Sequence, residues 1–280
     1  MTVDLQEVNI DHISTSGVFK TPYTILIILV QVFVGNLALI IVNSWYINSL
    51  YYLLTGKTIF PILIPVNWIY WLLLPLAIYG NLFLFTFIVV LFSSLILKLL
   101  NLISPPQEGV FKKGSKNWIY MHRRFWTAYL PIWLTRSLPL PWMDIVTYKL
   151  FGTFIGKNVV SYEGYIDPLF VKIEDFTMTS FNVCIFSHLI YHDKIIIKKV
   201  EIGKACIVGP HTLVSPGTIM NDEAILGANS YTMIGQELKG NLIHVGTPAL
   251  KQLPIPSVEE SRTKMMSINK NEKKTNEVNQ

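Results

Sequence analysis

The chain has 280 residues, 51% of them hydrophobic and 15% charged, with a formal net charge of +5 and a mean hydropathy of +0.42. Soluble domains carry about a quarter charged residues, and the deficit here lies in the first third, so a wholly soluble protein is excluded. Two cysteines, Cys184 and Cys206, without a C-x-x-C pair, exclude a disulfide framework.

After a polar segment (1–22), Tyr23–Trp45 is an uncharged run long enough to cross a bilayer, which takes roughly 20 apolar residues. Asp4, Glu7 and Asp11 stand where a cleaved signal peptide begins with basic residues, so a retained helix is expected. A second uncharged run, Ile59–Leu97, is too long for one crossing, and Gly80-Asn81 near its middle is a turn signal. The reading is a multi-pass membrane part, 23–103, with helices over 23–45, 61–79 and 82–103. Pro65 and Pro75 leave a re-entrant middle segment open, and Lys98 is placed to snorkel to the headgroups.

Lys112, Lys113, Lys116, Arg123 and Arg124 follow the last apolar run, while only Lys20 flanks the first. The positive-inside rule then places the C-terminal two thirds in the cytoplasm and, with three spans, the N-terminus outside. A juxtamembrane linker over 104–150 is rich in Trp and Arg: Trp118, Trp126, Trp133 and Trp142 beside Arg123, Arg124 and Arg136. That mixture suits a segment lying in the interface, as an anchor or as a platform that presents an acceptor to a site.

From Ile202 the chain divides into sixes: IGKACI, VGPHTL, VSPGTI, MNDEAI, LGANSY. The first positions are Ile202, Val208, Val214, Met220 and Leu226; the fifth are Cys206, Thr212, Thr218, Ala224 and Ser230, always small. Neither a helix nor a plain strand has this period. It describes a solenoid in which each six supplies one flat face, three faces close a coil, and only the stack is stable. Cys206 is then a small inward residue rather than a nucleophile. The frame extends back through Ile185, Thr179 and Ile173 to Ile155, giving a repeat domain over 151–253. Beyond it, 254–280 is polar, charged and nearly free of aliphatics, and is expected to be disordered.

Between Ile185 and Ile202 the phase breaks. If Ile196–Glu201 is a repeat, the extra residues are Tyr191–Ile195, with His192, Asp193 and Lys194 in a loop beside His188. His188 and His211 then share a face of adjacent coils; if Ile196–Glu201 is not a repeat, Gly217 takes the place of His211.

The six-residue aliphatic/Gly/small pattern, a histidine before a loop, and the closing Gly246-Thr247-Pro248-Ala249 resemble the left-handed β-helix hexapeptide acyltransferases, over Ile155 to Lys251. The resemblance is greatest to the acetyltransferase-like terminal repeats of poly-lysine-synthetase-type non-ribosomal peptide synthetases, which also set transmembrane helices before the β-helix and carry Thr-His-Leu where this chain has Ser187-His188-Leu189. It implies an all-β left-handed parallel β-helix behind the membrane helices, and a homotrimer with sites between coils. It also implies an acyl-CoA cosubstrate with no permanently bound cofactor, and His188 as general base. A near-neutral imidazole suits removal of an acceptor's proton, and Asp193 is the carboxylate expected to orient it. His211, Asn182, Lys194, Gly227 and Thr247 are expected to bind substrate or donor. The acceptor would be a hydroxyl or amine on a lipid, a lipid-linked sugar or a peptide at the membrane. Acyl-CoA is cytosolic, which agrees with the side the charges give.

Two alternatives stay open. One is a non-catalytic scaffold or assembly subunit, since fold does not fix function. The other is a zinc hydratase of the γ-carbonic anhydrase kind using His188, His192 and His211, although no metal site is expected on the favoured reading. Acidic residues alternate with the lysines of the tail, so no nucleic-acid partner is expected.

Overall fold

The computed structural model describes residues 22–59, 69–140 and 142–256. The expected polar N-terminal segment up to residue 21, the first part of the expected middle span (61–68) and the tail beyond 256 lie outside the described residues.

Two helices, α1 (Pro22–Thr55) and α2 (Ile69–Ile103), are long and apolar enough to cross a membrane. The expected turn at Gly80-Asn81 is not formed: α2 runs unbroken through it and through Pro75. The physical reason is visible in the partner helix. Asn43 of α1 donates its side-chain amide to Asn81 Oδ1 at 2.7 Å, so Asn81 pairs polar groups between apolar helices instead of capping a turn. A further inter-helix bond joins Gln31 to Ser93 at 2.9 Å. Gly35 allows the close approach, since a Cβ there would lie 2.5 Å from the Phe85 ring.

The expected linker is built and packed. Strand β1 (Gly109–Lys112) leads into α3 (Lys116–Ser137), capped by Ser115 Oγ accepting from the Trp118 N–H, and then into α4 (Met143–Phe151). Helix α3 lies against both apolar helices. Gln31 donates to Thr127 O at 2.8 Å, and the buried Arg124 donates to Asn101 Oδ1 at 2.8 Å and to the Ser104 carbonyl. Trp118 is buried, while Trp133 and Trp142 stay exposed.

From Phe154 the chain winds through short strands. The first coil holds β2 (Phe154–Ile155), β3 (Val160–Ser161) and β4 (Tyr165–Ile166), and the second holds β5 (Val171–Ile173), β6 (Met178–Thr179) and β7 (Cys184–Ile185). A hairpin of β8 (His188–Tyr191) and β9 (Lys194–Ile197) follows. The third coil is β10 (Val200–Ile202), β11 (Ile207–Val208) and β12 (Leu213–Val214), and the fourth is β13 (Ile219–Met220) and β14 (Ile225–Leu226), with a bridge at Tyr231. Strands β15 (Glu237–Leu238), β16 (Leu242–Val245) and β17 (Lys251–Pro254) close the stack, β17 antiparallel to β16. Successive strands visit three sheets in turn, ordered β15-β13-β10-β5-β2, β17-β16-β14-β11-β6-β3 and β12-β7-β4.

The six-residue frame is the side-chain code of this winding. First-position Ile155, Ile173, Ile185, Ile202, Val208, Val214, Met220, Leu226 and Leu238 are all buried, as are fifth-position Thr177, Val183, Cys206, Thr212, Thr218, Ala224 and Ser230. Burial pushes the Cys206 thiol up to about 11. Second-position glycines sit where the next coil leaves no room: a Cβ at Gly209 would lie 2.7 Å from the Ala228 nitrogen. Gly209→Ala should therefore lower the thermal midpoint, since overpacking costs about 1–3 kcal/mol. Gly80→Ala, where nothing lies within 4 Å, should not. Equal midpoints for the two variants in detergent would contradict this packing.

Register corrects the expected repeat at Ile196–Glu201. Ile185 pairs with Val214, 29 positions on, whereas Val208 pairs with Leu226 after a plain coil of 18. The eleven extra residues form the β8–β9 hairpin, longer than the excursion expected over Tyr191–Ile195. Leu189, fifth in the six that begins at Ile185 and so an inward position of the frame, is exposed on β8. Strand β1 adds to the hairpin's free edge, pairing Phe111 with Ile195. The covered face of this small sheet, with Ile195 and Ile197, packs on Trp118 and Met121 of α3.

Candidate active site

His188 is the residue at which the chain leaves the coil: β7 ends at Ile185, and β8 begins at His188. The hairpin returns to the same point, where the Lys198 N–H donates to Ser187 O at 2.9 Å. Asp167 sits one coil earlier, at the end of β4, and is fully buried. Ile166 pairs with Ile185 after 19 residues, whereas the flanking pairs Ile155–Ile173 and Ser161–Thr179 are 18 apart, so β4 comes one residue early: Ile166 takes the inward apolar place and Asp167 follows it, against the coil above.

A buried carboxylate needs several donors to be tolerated, and Asp167 Oδ2 has three. The Ser187 N–H donates at 2.7 Å, Ser187 Oγ at 3.0 Å and His188 Nδ1 at 2.6 Å. Because the carboxylate only accepts, the ring proton sits on Nδ1 and a neutral imidazole presents Nε2 as a base. Burial lowers the pKa of the His188 ring, but the charge of Asp167 and the hydrogen bond to it more than reverse this, leaving the pKa above its ordinary value. Burial also pushes the neighbouring Tyr165 phenol well up, with the Asp167 carboxylate adding to the effect.

The imidazole is held edge-on between two rings, Phe125 of α3 at 5.8 Å and Phe186 at 6.3 Å between centroids. A cavity of about 310 Å³ opens beside it, lined by Met121, His122, Phe125, Trp126 and Tyr129 of α3, by Phe186 and His188, and by Ile190 and Ile195 of the hairpin. Among the described residues no Asp, Glu, Lys or Arg lines it. A larger cleft of about 480 Å³, between the end of α3, α4 and the first coil, shares none of these residues.

The other expected site residues are placed apart from this pair. Asp193 is at the exposed tip of the hairpin, where its carbonyl accepts from the Lys113 N–H, so it does not orient His188; Asp167 does. Lys194 opens β9 at the same tip, its Cα opposite those of Lys112 and Tyr191. His211 does not neighbour His188. It stacks over Asn182 at another corner, both with positive φ (55° and 53°), and its ring meets Phe181 at 5.6 Å. The glycine alternative holds: Gly217, with φ 79°, stands at His188's corner in the next coil. Gly227 packs under Val245, and Thr247 is exposed in the closing loop. Among the described residues no group of three His, Cys, Asp or Glu side chains is placed to hold a metal ion. The pattern of sixes missed Asp167, although a carboxylate at an inward position of a degenerate coil is itself a signal that a buried partner exists.

No family model and no curated protein matches the chain. Among solved structures, a maltose O-acetyltransferase from Clostridium difficile 630 is similar at 14% identity and a TM-score of 0.44, over 54% of this chain and 94% of that one. A galactoside acetyltransferase in complex with coenzyme A is similar at 14% and 0.41, over 55% and 90%. A hexapeptide-repeat-containing acetyltransferase from Vibrio cholerae is similar at 13% and 0.36, over 51% and 94%.

Proposed function

We propose that the protein is a membrane-bound acyltransferase of the hexapeptide-repeat kind, with an acyl-CoA donor and His188 as general base. One observation carries this reading: a buried carboxylate fixes the tautomer of a histidine whose ring borders a cavity. That is the orienting logic of a base that must accept one proton at one atom. His188 Nε2 takes the proton from the acceptor hydroxyl or amine as its oxygen or nitrogen attacks the thioester carbon. The new C–O or C–N bond forms, the C–S bond breaks, and the proton passes to the departing thiolate, giving CoA-SH. Ser187 holds Asp167 in place with two donors to Oδ2, so it acts as a positioning residue.

With α1 and α2 as the crossing helices among the described residues, in place of the three spans expected, the chain ahead of α1 and the β-rich domain would share one side. The basic residues after α2 and Lys20 before α1 favour the cytoplasm for both, where acyl-CoA is found. Helix α3, packed on α1 and α2 by one face and on the His188 cavity by another, favours an acceptor at the membrane: a lipid, a lipid-linked sugar or a peptide. The repeat resemblance favours a left-handed winding and a homotrimer, which would supply between three chains what the peptide synthetases arrange with tandem units in one. Donor contacts at Lys194, Gly227, Thr247, Asn182 and His211 remain proposals from that resemblance, and the last two share a corner a neighbouring protomer could cover. The zinc reading loses its support, because His192 lies at the hairpin tip and His211 at a different corner from His188. An oriented imidazole that borders a cavity favours an enzyme over a scaffold. The direct test incubates the full chain in nanodiscs with acyl-labelled CoA and a membrane lipid extract. Label should appear in an acceptor; binding of CoA without any transfer, with every extract tried, would favour the scaffold.

A further inference from the structure

The cavity beside His188 has a chemistry that the transfer reaction alone does not require. Its walls are mainly aromatic and aliphatic, from Phe125, Trp126 and Tyr129 on one side and Phe186, Ile190 and Ile195 on the other, and among the described residues its polar groups are the two imidazoles of His122 and His188 and the tips of Trp126 and Tyr129. A phosphate, an ammonium or a hydroxyl-rich sugar buried there would exchange full hydration for those few groups, with no carboxylate, ammonium or guanidinium to pair with. Hydrocarbon loses nothing. The volume of about 310 Å³ holds roughly ten non-hydrogen atoms if each occupies about the space of a water in liquid, near 30 Å³. An acetyl group would leave most of that space empty.

We infer that this cavity receives the acyl chain of the donor, and that the preferred donor is a medium-chain acyl-CoA of about eight to ten carbons rather than acetyl-CoA. The inference rests on the acyltransferase reading and specifies its substrate. The thioester carbon lies at His188, the chain runs between α3 and the hairpin, and the depth of the cavity sets the chain length. Because α3 also packs on the two apolar helices, the chain lies on the side of the site nearest the membrane helices, leaving the solenoid side for the polar part of the donor.

The test measures dissociation constants of the full chain in nanodiscs for CoA and for acetyl-, butyryl-, hexanoyl-, octanoyl-, decanoyl- and palmitoyl-CoA, with empty nanodiscs subtracted. Affinity should rise about fourfold for each added methylene and level off near ten carbons. Ile190→Trp, which fills the cavity from the hairpin, should abolish the rise while leaving CoA affinity unchanged; Phe125→Ala should move the plateau to longer chains. Equal affinity for acetyl- and octanoyl-CoA, or a rise that Ile190→Trp leaves intact, would overturn the inference while the acyltransferase reading stands. Failure to bind CoA at any chain length would overturn both.

Discussion

Replacing His188 with Ala or Gln should lower the rate of acyl transfer by about 10²–10⁴-fold, the range a positioned general base contributes. The two variants separate chemistry from folding. Ala leaves the buried Asp167 with one donor fewer, whereas Gln can return an amide N–H toward the carboxylate while lacking a base of useful strength. Both should therefore be inactive, and the Gln variant should melt closer to the parent. The parent's rate should rise with pH as the imidazole loses its extra proton. Because Asp167 holds the pKa of that ring above the ordinary value, the acid limb should lie above the pH of a free histidine. An active His188→Gln enzyme with an unmoved pH profile would remove the histidine from the mechanism.

Asp167 should be costlier to change than any other residue of the site, and in two distinguishable ways. Asp167→Ala strands Ser187 N–H, Ser187 Oγ and His188 Nδ1 together. Breaking a buried charged pair costs about 3–5 kcal/mol, so this variant should be poorly folded. Asp167→Asn keeps the volume and loses the charge. Without the carboxylate only burial acts on the imidazole, so the acid limb should move to lower pH while the maximal rate falls through loss of the fixed tautomer. Stability gives the same sign independently. The folded pKa of His188 lies above its unfolded value, near 6.5. The stability it contributes is thus full below that unfolded value and fades as the pH rises through the folded one. The stability gap between the parent and Asp167→Asn should be widest in mild acid and narrow toward alkaline pH. A gap independent of pH would mean that the pair is not charge-coupled.

The solenoid was legible because its code is one of volumes. A large aliphatic at the first place and a small residue at the fifth, as in Ile202 with Cys206 or Val208 with Thr212, reports a repeated wall and a repeated corner. His188 was legible because it stands where that code stops. The partner was not. Asp193 is near in sequence but sits at a hairpin tip, whereas Asp167 lies a coil away, and the one-residue shift that hands its inward place to Ile166 is made good before Ile173, so it leaves no mark on a six-residue frame. Counting Ile196–Glu201 as a repeat failed for a related reason: Ile196, which that repeat needs inward, is only half-buried, while its neighbours Ile195 and Ile197 are the buried ones, under β1 and α3 and not inside the coil. In the apolar half, Gly80-Asn81 read as a turn because local propensity was taken alone; surrounded by apolar side chains, Asn81 serves better by pairing with Asn43. The cavity beside His188 draws on α3 and on the hairpin, elements far apart in the chain, and no local pattern joins them.

On the proposed reading, chemistry occurs where the hairpin leaves the coil, and a structure of the full chain in nanodiscs with CoA bound decides it. The CoA sulfur should lie beside His188 Nε2, at the mouth of the cavity bounded by Phe125 and Phe186. A CoA sulfur at the Asn182–His211 corner of the same protomer, with His188 still locked to Asp167 and facing no ligand, would contradict it.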